Sequence, residues 1–318
     1  MEHVICRTKS EKIFNMLFYL LISVFIVVYA SESEKLFGGR YAKDGEFPFV
    51  VSIRGKSSCA GSLVTLSKVV TAAHCLALFL NMEGRSIDVN ELYVVGGSVD
   101  LEKFNEGIDV RAINSILVTG EYKAGTRFGG KIDSHDIGMA VLDYPFKSGK
   151  NLQVMNLVSW NATIFKNSWD EIVAKRTICY AMGWGTTTYH PDSMGKETIP
   201  AEPSLILKVI QVRPSDNESC SLLFSRKDDL TMYGEICVYS VKKHETICDG
   251  DSGGPLVCDG RPYALLNYGP RCGTTLSPQG YLLFWYYMDF LTLSGNHLFI
   301  SKWLILLILL LYILCNYI

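Results

Sequence analysis

The apolar positions along the chain fall into three regimes. From Met16 to Tyr29 they run with Ser23 as the one polar break, and from Trp303 to Cys315 they run unbroken. Between these ends they come in short clusters, such as Phe49-Val50-Val51-Ser52-Ile53-Arg54 and Leu205-Ile206-Leu207-Lys208-Val209-Ile210-Gln211-Val212. Turn formers separate the clusters, as in Val95-Gly96-Gly97-Ser98 and Tyr268-Gly269-Pro270. Many short apolar or alternating runs punctuated in this way predict an all-β body, either a barrel or a sandwich. A helix is expected over Tyr286–Leu291, and a surface loop over residues 186–203, which hold three prolines and few large apolar side chains.

The terminal runs belong to a different account. Arg7, Lys9 and Lys12 precede the first run, and the small residue Ala30 follows it with Val28 two before. That is the layout of a cleavable secretory signal over residues 1–30. As a helix, Met16 to Tyr29 would span about 21 Å, short of the roughly 30 Å of bilayer hydrocarbon. Met16 is an alternative start. The second run lies in a tail, residues 294–318, that opens on Ser294, Gly295 and Asn296. Small residues, a spacer and an apolar end fit a GPI-attachment signal. Leu298, Phe299 and Ile300 make the spacer partly apolar, so a tail anchor and a plain hydrophobic extension stay open. Either kind of anchor places the protein on the outer face of a membrane.

Composition narrows the rest. The 318 residues carry 30 basic against 32 acidic side chains, and no Lys/Arg block offers a footprint for nucleic acid. An apolar fraction of 48% excludes a disordered chain. Of ten cysteines, Cys6 and Cys315 lie in the terminal segments, leaving Cys59, Cys75, Cys179, Cys220, Cys237, Cys248, Cys258 and Cys272 in the body. An even number in an exported chain suggests four disulfides, whose pairing the count leaves open. With no C-x-x-C and no H-E-x-x-H, neither a metal nor a cofactor is implied. Asn161-Ala-Thr163 and Asn217-Glu-Ser219 are acceptor sequons for surface glycosylation.

Three motifs carry chemistry. In Cys248-Asp-Gly250-Asp251-Ser252-Gly-Gly-Pro255, the core from Gly250 should arise by chance on the order of 10⁻⁵ times in such a chain. Its glycines let backbone N–H groups approach a substrate carbonyl while the turn exposes the Ser252 hydroxyl. A hydroxyl needs a base, and His74, in Val70-Thr-Ala-Ala-His74-Cys75, follows a strand-like run and sits beside a cysteine that can fix it. In Ser134-His135-Asp136-Ile137-Gly138-Met139-Ala140-Val141-Leu142, Asp136 opens an apolar run and would be buried. A buried carboxylate needs a partner, and an imidazole N–H supplies one. His135 competes as the base, but its adjacency to Asp136 hampers an aligning bond. Gly250-Asp-Ser252-Gly-Gly254 also reads as the nucleophile elbow of α/β-hydrolases. That fold needs its acid and then its histidine after the serine, and the order His74, Asp136, Ser252 excludes it.

Those motifs, with Gly183-Trp184-Gly185 between them, resemble the chymotrypsin/trypsin family of serine proteases over residues 36–293. The resemblance implies two six-stranded antiparallel β-barrels with the active site between them and a short C-terminal helix. It implies Cys59–Cys75, Cys179–Cys258, Cys220–Cys237 and Cys248–Cys272 as the disulfides. His74, Asp136 and Ser252 would be the triad, and the N–H groups of Gly250 and Ser252 the oxyanion hole. Lys35-Leu36-Phe37-Gly38-Gly39 resembles the activation junction, where the family has Ile-Val after the basic residue. Removal of the five-residue propeptide, 31–35, would free Leu36 to pair with Asp251. Thr246, at the base of the primary pocket, lacks the carboxylate of trypsin-like enzymes. With Gly269 and Gly280 as walls, room for a large apolar side chain and a chymotrypsin-like preference are expected. Asn267-Tyr268-Gly269 replaces Ser-Trp-Gly, so a hydroxyl that helps bind the catalytic Asp is missing, while Tyr268 keeps an aromatic wall. The expectation is a secreted or surface-anchored serine endopeptidase, with peptide substrates, an activating protease and protein inhibitors as partners. The alternative is a catalytically silent homologue that acts as a binding or regulatory module.

Overall fold

The computed structural model describes residues 39–55, 58–77, 92–103, 108–127, 132–187, 203–215, 230–243, 245–269 and 278–295. Its first strands are β1 (Arg40–Tyr41), β2 (Val50–Arg54), β3 (Cys59–Thr65), β4 (Lys68–Thr71), β5 (Tyr93–Gly96), β6 (Asp109–Val118), β7 (Lys123–Arg127), β8 (Ile132–Ser134) and β9 (Gly138–Leu142). After them come β10 (Cys179–Gly183), β11 (Lys208–Ser215), β12 (Glu235–Ser240), β13 (Pro255–Cys258), β14 (Arg261–Tyr268) and β15 (Pro278–Leu283).

These strands close two six-stranded antiparallel barrels. The first runs in the order β2-β3-β4-β9-β6-β5, and the second in the order β11-β10-β13-β14-β15-β12, sealed by pairing of β11 with β12. Strand β1 adds to the outside of β11, and β7 and β8 form a separate hairpin. Closure removes the exposed edges that β-branched runs would otherwise present. Side chains such as Val51, Ile53, Leu63, Val69 and Ala140 share one face of the first barrel, each fully enclosed. Ala181, Val212, Val238, Leu256 and Ala264 do the same in the second. The two-barrel expectation therefore holds, with two shifts of detail. Residues 205–207 leave β11 and bond across to the first barrel, with Leu207 N–H donating to Val99 O and Leu101 N–H to Leu205 O. The expected C-terminal helix begins later, at Met288, because Tyr286 and Tyr287 occupy turns whose hydroxyls donate to Met232 O and Tyr233 O.

Three α-helices are described, α1 (His74–Ala77), α2 (Ala162–Ala174) and α3 (Met288–Gly295), with one 3-10 turn at Leu230–Tyr233. Helix α2, in the link between the barrels, was not anticipated. Its buried side chains, Phe165, Trp169 and Ile172, recur at helical spacing. They seat the helix on the second barrel, where both aromatic rings lie against Tyr263 and Ser168 Oγ lies 2.7 Å from the Tyr263 hydroxyl. The sequon residue Asn161 is the N-cap, its Oδ1 accepting from Thr163 N–H at 3.0 Å and Ile164 N–H at 3.1 Å.

Disulfides join Cys59 to Cys75 and Cys179 to Cys258. Cys237 and Cys248 are also disulfide-bonded; their expected partners, Cys220 and Cys272, lie outside the described residues. So do the signal, Lys35 and Leu36, Asn217, and the tail beyond Gly295. Most of the expected 186–203 loop is outside too, although Thr186 and Pro203 pair across its base. No described helix is long and apolar enough to cross a membrane.

Replacing Asn161 with Ala should lower stability by about 1 kcal/mol through loss of the cap. Asn161→Asp removes the sequon but keeps the acceptor, so its denaturant midpoint should stay near that of the parent.

Candidate active site

His74 opens α1 directly after β4, and Asp136 sits in the bend before β9. Strands β4 and β9 are neighbours, with Thr71 opposite Gly138, so the register brings the two side chains together across 62 positions of sequence. Asp136 is 1% exposed. One carboxylate oxygen accepts the His74 backbone N–H at 2.7 Å, and the other lies 2.6 Å from imidazole Nδ1. The Ala73 N–H also donates to the Asp136 carbonyl at 3.2 Å. Burial pushes the Asp136 pKa up, and the pairing with His74 opposes this without cancelling it.

His135 points elsewhere. Its backbone is left-handed, with φ of 49°, and its ring lies among Tyr233, Tyr286 and Tyr287. The Tyr287 hydroxyl donates to Tyr233 O, so it receives the His135 Nδ1–H at 3.1 Å. The choice between the two histidines that the sequence left in competition is thus decided by backbone direction.

Ser252 lies on the turn between Cys248 and β13. Bonds from Asp251 N–H to Cys248 O and from Gly254 N–H to Asp251 O shape the turn. Two contacts dock it beside His74: Ala60 N–H donates to Ser252 O at 2.9 Å, and Cys75 Sγ lies 3.8 Å from the same oxygen. Gly253, with φ of +78°, is pressed so close to β4 that a Cβ there would stand 2.1 Å from Thr71 Oγ1 and 2.4 Å from Ala60 O. Gly250, with φ of +99°, also adopts a backbone form that only glycine takes readily.

Asp251 points away from Ser252. Its carboxylate accepts Gly185 N–H at 2.6 Å and Cys248 N–H at 2.8 Å. Burial pushes its pKa up to about 6, against the pull of those two donors. Gly183 and Gly185 leave the space it fills, since a Cβ on either would come within 2.6 Å of its oxygens.

Two further polar groups were not foreseen. Asp133, three residues before Asp136, accepts Tyr122 O–H at 2.8 Å and Gly125 N–H at 2.6 Å within the β7–β8 hairpin. Its donor atoms, those of His74 and those of Asp136 lie within 4.8 Å of one another. The Nδ1 of His74 is already held by Asp136. Cys59, His74 and Cys75 are equally close, but both sulfurs are in a disulfide. The second group, Glu235, is 1% exposed and accepts the Tyr268 hydroxyl at 3.0 Å.

Thr246, expected at the base of a primary pocket, is buried and turns its hydroxyl onto Ile247 O. The room expected beside Gly269 is taken by Ile247, whose Cδ1 lies 2.4 Å from where a Gly269 Cβ would be. Gly280 faces the Tyr268 ring, at 2.2 Å from a built Cβ. Asn267 is buried and its Nδ2 has no partner, so it does not replace the hydroxyl bond to Asp136.

With this geometry, the comparison with known sequences is unambiguous. The sequence model of the trypsin family matches residues 36–291. The chain belongs to the trypsin family. It is similar to trypsin theta of Drosophila melanogaster, with 29% identity over 256 residues, 78% of this chain and 81% of that protein. It is also similar to snake venom serine protease 1 of Craspedocephalus gramineus, at 25% identity over 274 residues, 84% of this chain and 91% of the relative.

Two measurements follow for this trypsin-family chain. Burial disfavours a charged His74, but Asp136, and behind it Asp133, outweigh this and raise its pKa above the ordinary histidine value. An NMR titration of His74 should therefore have a raised midpoint, and Asp133→Asn, which removes one of the attracting charges, should move it down. A buried donor without a partner costs about 1–3 kcal/mol. Asn267→Ser should accordingly raise the unfolding free energy by about 1 kcal/mol.

Proposed function

We propose that the chain is an exported serine endopeptidase, made as a zymogen, in which Ser252 attacks the peptide carbonyl. His74 takes the hydroxyl proton and later gives it to the leaving amine. Asp136 holds the imidazole with Nδ1 protonated and Nε2 free to act as base, and it stabilises the charged ring. The developing oxyanion is received by the N–H groups of Gly250 and Ser252. Among the described residues neither of these donates within the fold, which leaves both for a ligand. The observation that carries the reading is the 2.6 Å contact of Asp136 with His74, whose neighbour Cys75 places its Sγ 3.8 Å from the Ser252 carbonyl oxygen.

The surroundings of Asp251 support activation after Lys35. Gly39 lies against Val209 O and Ile210, and β1 continues beside Lys208. Three residues further back is Leu36, within about 10 Å of extended chain. Next to this path is a cavity of about 30 Å³, lined by Met182, Gly183, Lys208, Ile210 and Asp251 among others. An ammonium group arriving there meets a desolvated carboxylate, and the pair would hold the turn that presents Gly250 and Ser252.

Thr246 brings no negative charge to the pocket base, so cleavage after Lys or Arg is disfavoured. Disulfides and the signal-like start support an extracellular location, with the 294–318 tail as the means of attachment to an outer membrane face. The silent-homologue reading draws on Asn267, whose unpartnered amide leaves Asp136 without a third donor.

Protein cleaved after Lys35 should label with a fluorophosphonate, and uncleaved protein should label far more slowly. Ser252→Ala should abolish labelling and lower kcat by a factor on the order of 10⁶. Correctly trimmed, folded protein that takes up no probe would establish the silent homologue instead.

A further inference from the structure

The space beside Gly269 is filled by the protein's own side chain. Ile247 follows Thr246 at the pocket base and stands across Gly269, with Cδ1 and Cγ1 at 2.4 Å and 3.1 Å from the position of a Gly269 Cβ. It is 5% exposed, so its side chain is packed and not projecting into an open channel.

Tyr268 and Gln279, on β14 and β15, are also held in place. Tyr268 lies over Gly280, its ring carbons within 2.6 Å of a Cβ built there, and its hydroxyl is tethered to buried Glu235. Gln279 is fully enclosed, donating from Nε2 to Ser240 Oγ at 3.0 Å and accepting the Tyr281 hydroxyl at 3.4 Å. An aromatic ring could enter only by driving Ile247 from a packed position, and interiors resist added volume of that size.

We propose that Ile247 sets primary specificity: it fills the pocket against Gly269, and the enzyme cleaves after small uncharged residues such as alanine and serine. This narrows the expectation of a roomy apolar pocket to a shallow one, and it rests on the protease reading above. Gly269 supplies the space that Ile247 occupies, and Thr246 supplies no charge that would reward a longer cationic side chain.

The test uses the chain trimmed to begin at Leu36, with peptide amides that differ only in alanine or phenylalanine before the cleaved bond. The parent should favour alanine in kcat/KM by at least about tenfold. Ile247→Gly, or the milder Ile247→Ala if the glycine variant folds poorly, should reverse the order, changing the ratio by about 100-fold or more. Indole binding, followed calorimetrically on Ser252→Ala protein, reads the pocket without catalysis. Binding only when Ile247→Gly is added supports the proposal. A parent enzyme that prefers phenylalanine, or indole binding to Ser252→Ala with Ile247 intact, overturns it. If nothing is cleaved and the fluorophosphonate fails to label, the protease reading falls, and the indole experiment still decides whether Ile247 closes the pocket.

Discussion

The contact on which the site depends is the one between Gly253 and β4. The buried side chains of the two barrels form one continuous core, and a site in the seam needs a place where backbones meet without side chains between them. Gly253 provides it, with Thr71 Oγ1 and Ala60 O where a Cβ would have to stand. The neighbouring Ser252 carbonyl takes the Ala60 N–H, which anchors the serine turn of the second barrel to the first. His74, three residues beyond Thr71, is then held near Ser252 by the same strand that receives the glycine.

Around this contact the polar groups sort by depth. Asp136 is enclosed and spends its carboxylate on the backbone and ring of His74. Asp251 is turned the opposite way, onto two backbone donors and toward the small cavity near β1. One carboxylate orients His74 and the other the serine turn. Asp133 adds a third negative charge that the fold anchors in the β7–β8 hairpin and aims at the imidazole. The result is a histidine biased toward holding a proton, which suits a group that must become charged during acyl transfer.

Legibility in the sequence varied with the distance over which each feature is decided. The short strands were visible because alternation and turn residues are local, and the Ser252 turn because its glycines answer to backbone form at single positions. Helix α2 was overlooked: Phe165, Trp169 and Ile172 carry the period, but Asn161 was read only as a sequon. Asp133 could not be singled out, because an aspartate in a polar hairpin is ordinary until the hairpin folds over His74. Ile247 was equally silent, since the side chain that closes a pocket is named by the glycine opposite, 22 positions away.

By itself, then, the sequence determined the all-β class, the order His74, Asp136, Ser252, and the absence of a carboxylate at Thr246, because each is a matter of residue identity or local period. Tertiary structure alone decided that Asp136 serves His74 and not His135, since a left-handed φ at His135 turns that ring toward the tyrosines. It also decided how much room lies beside Gly269. Volume in a pocket is set by what packs in from across the fold, and no local pattern encodes it.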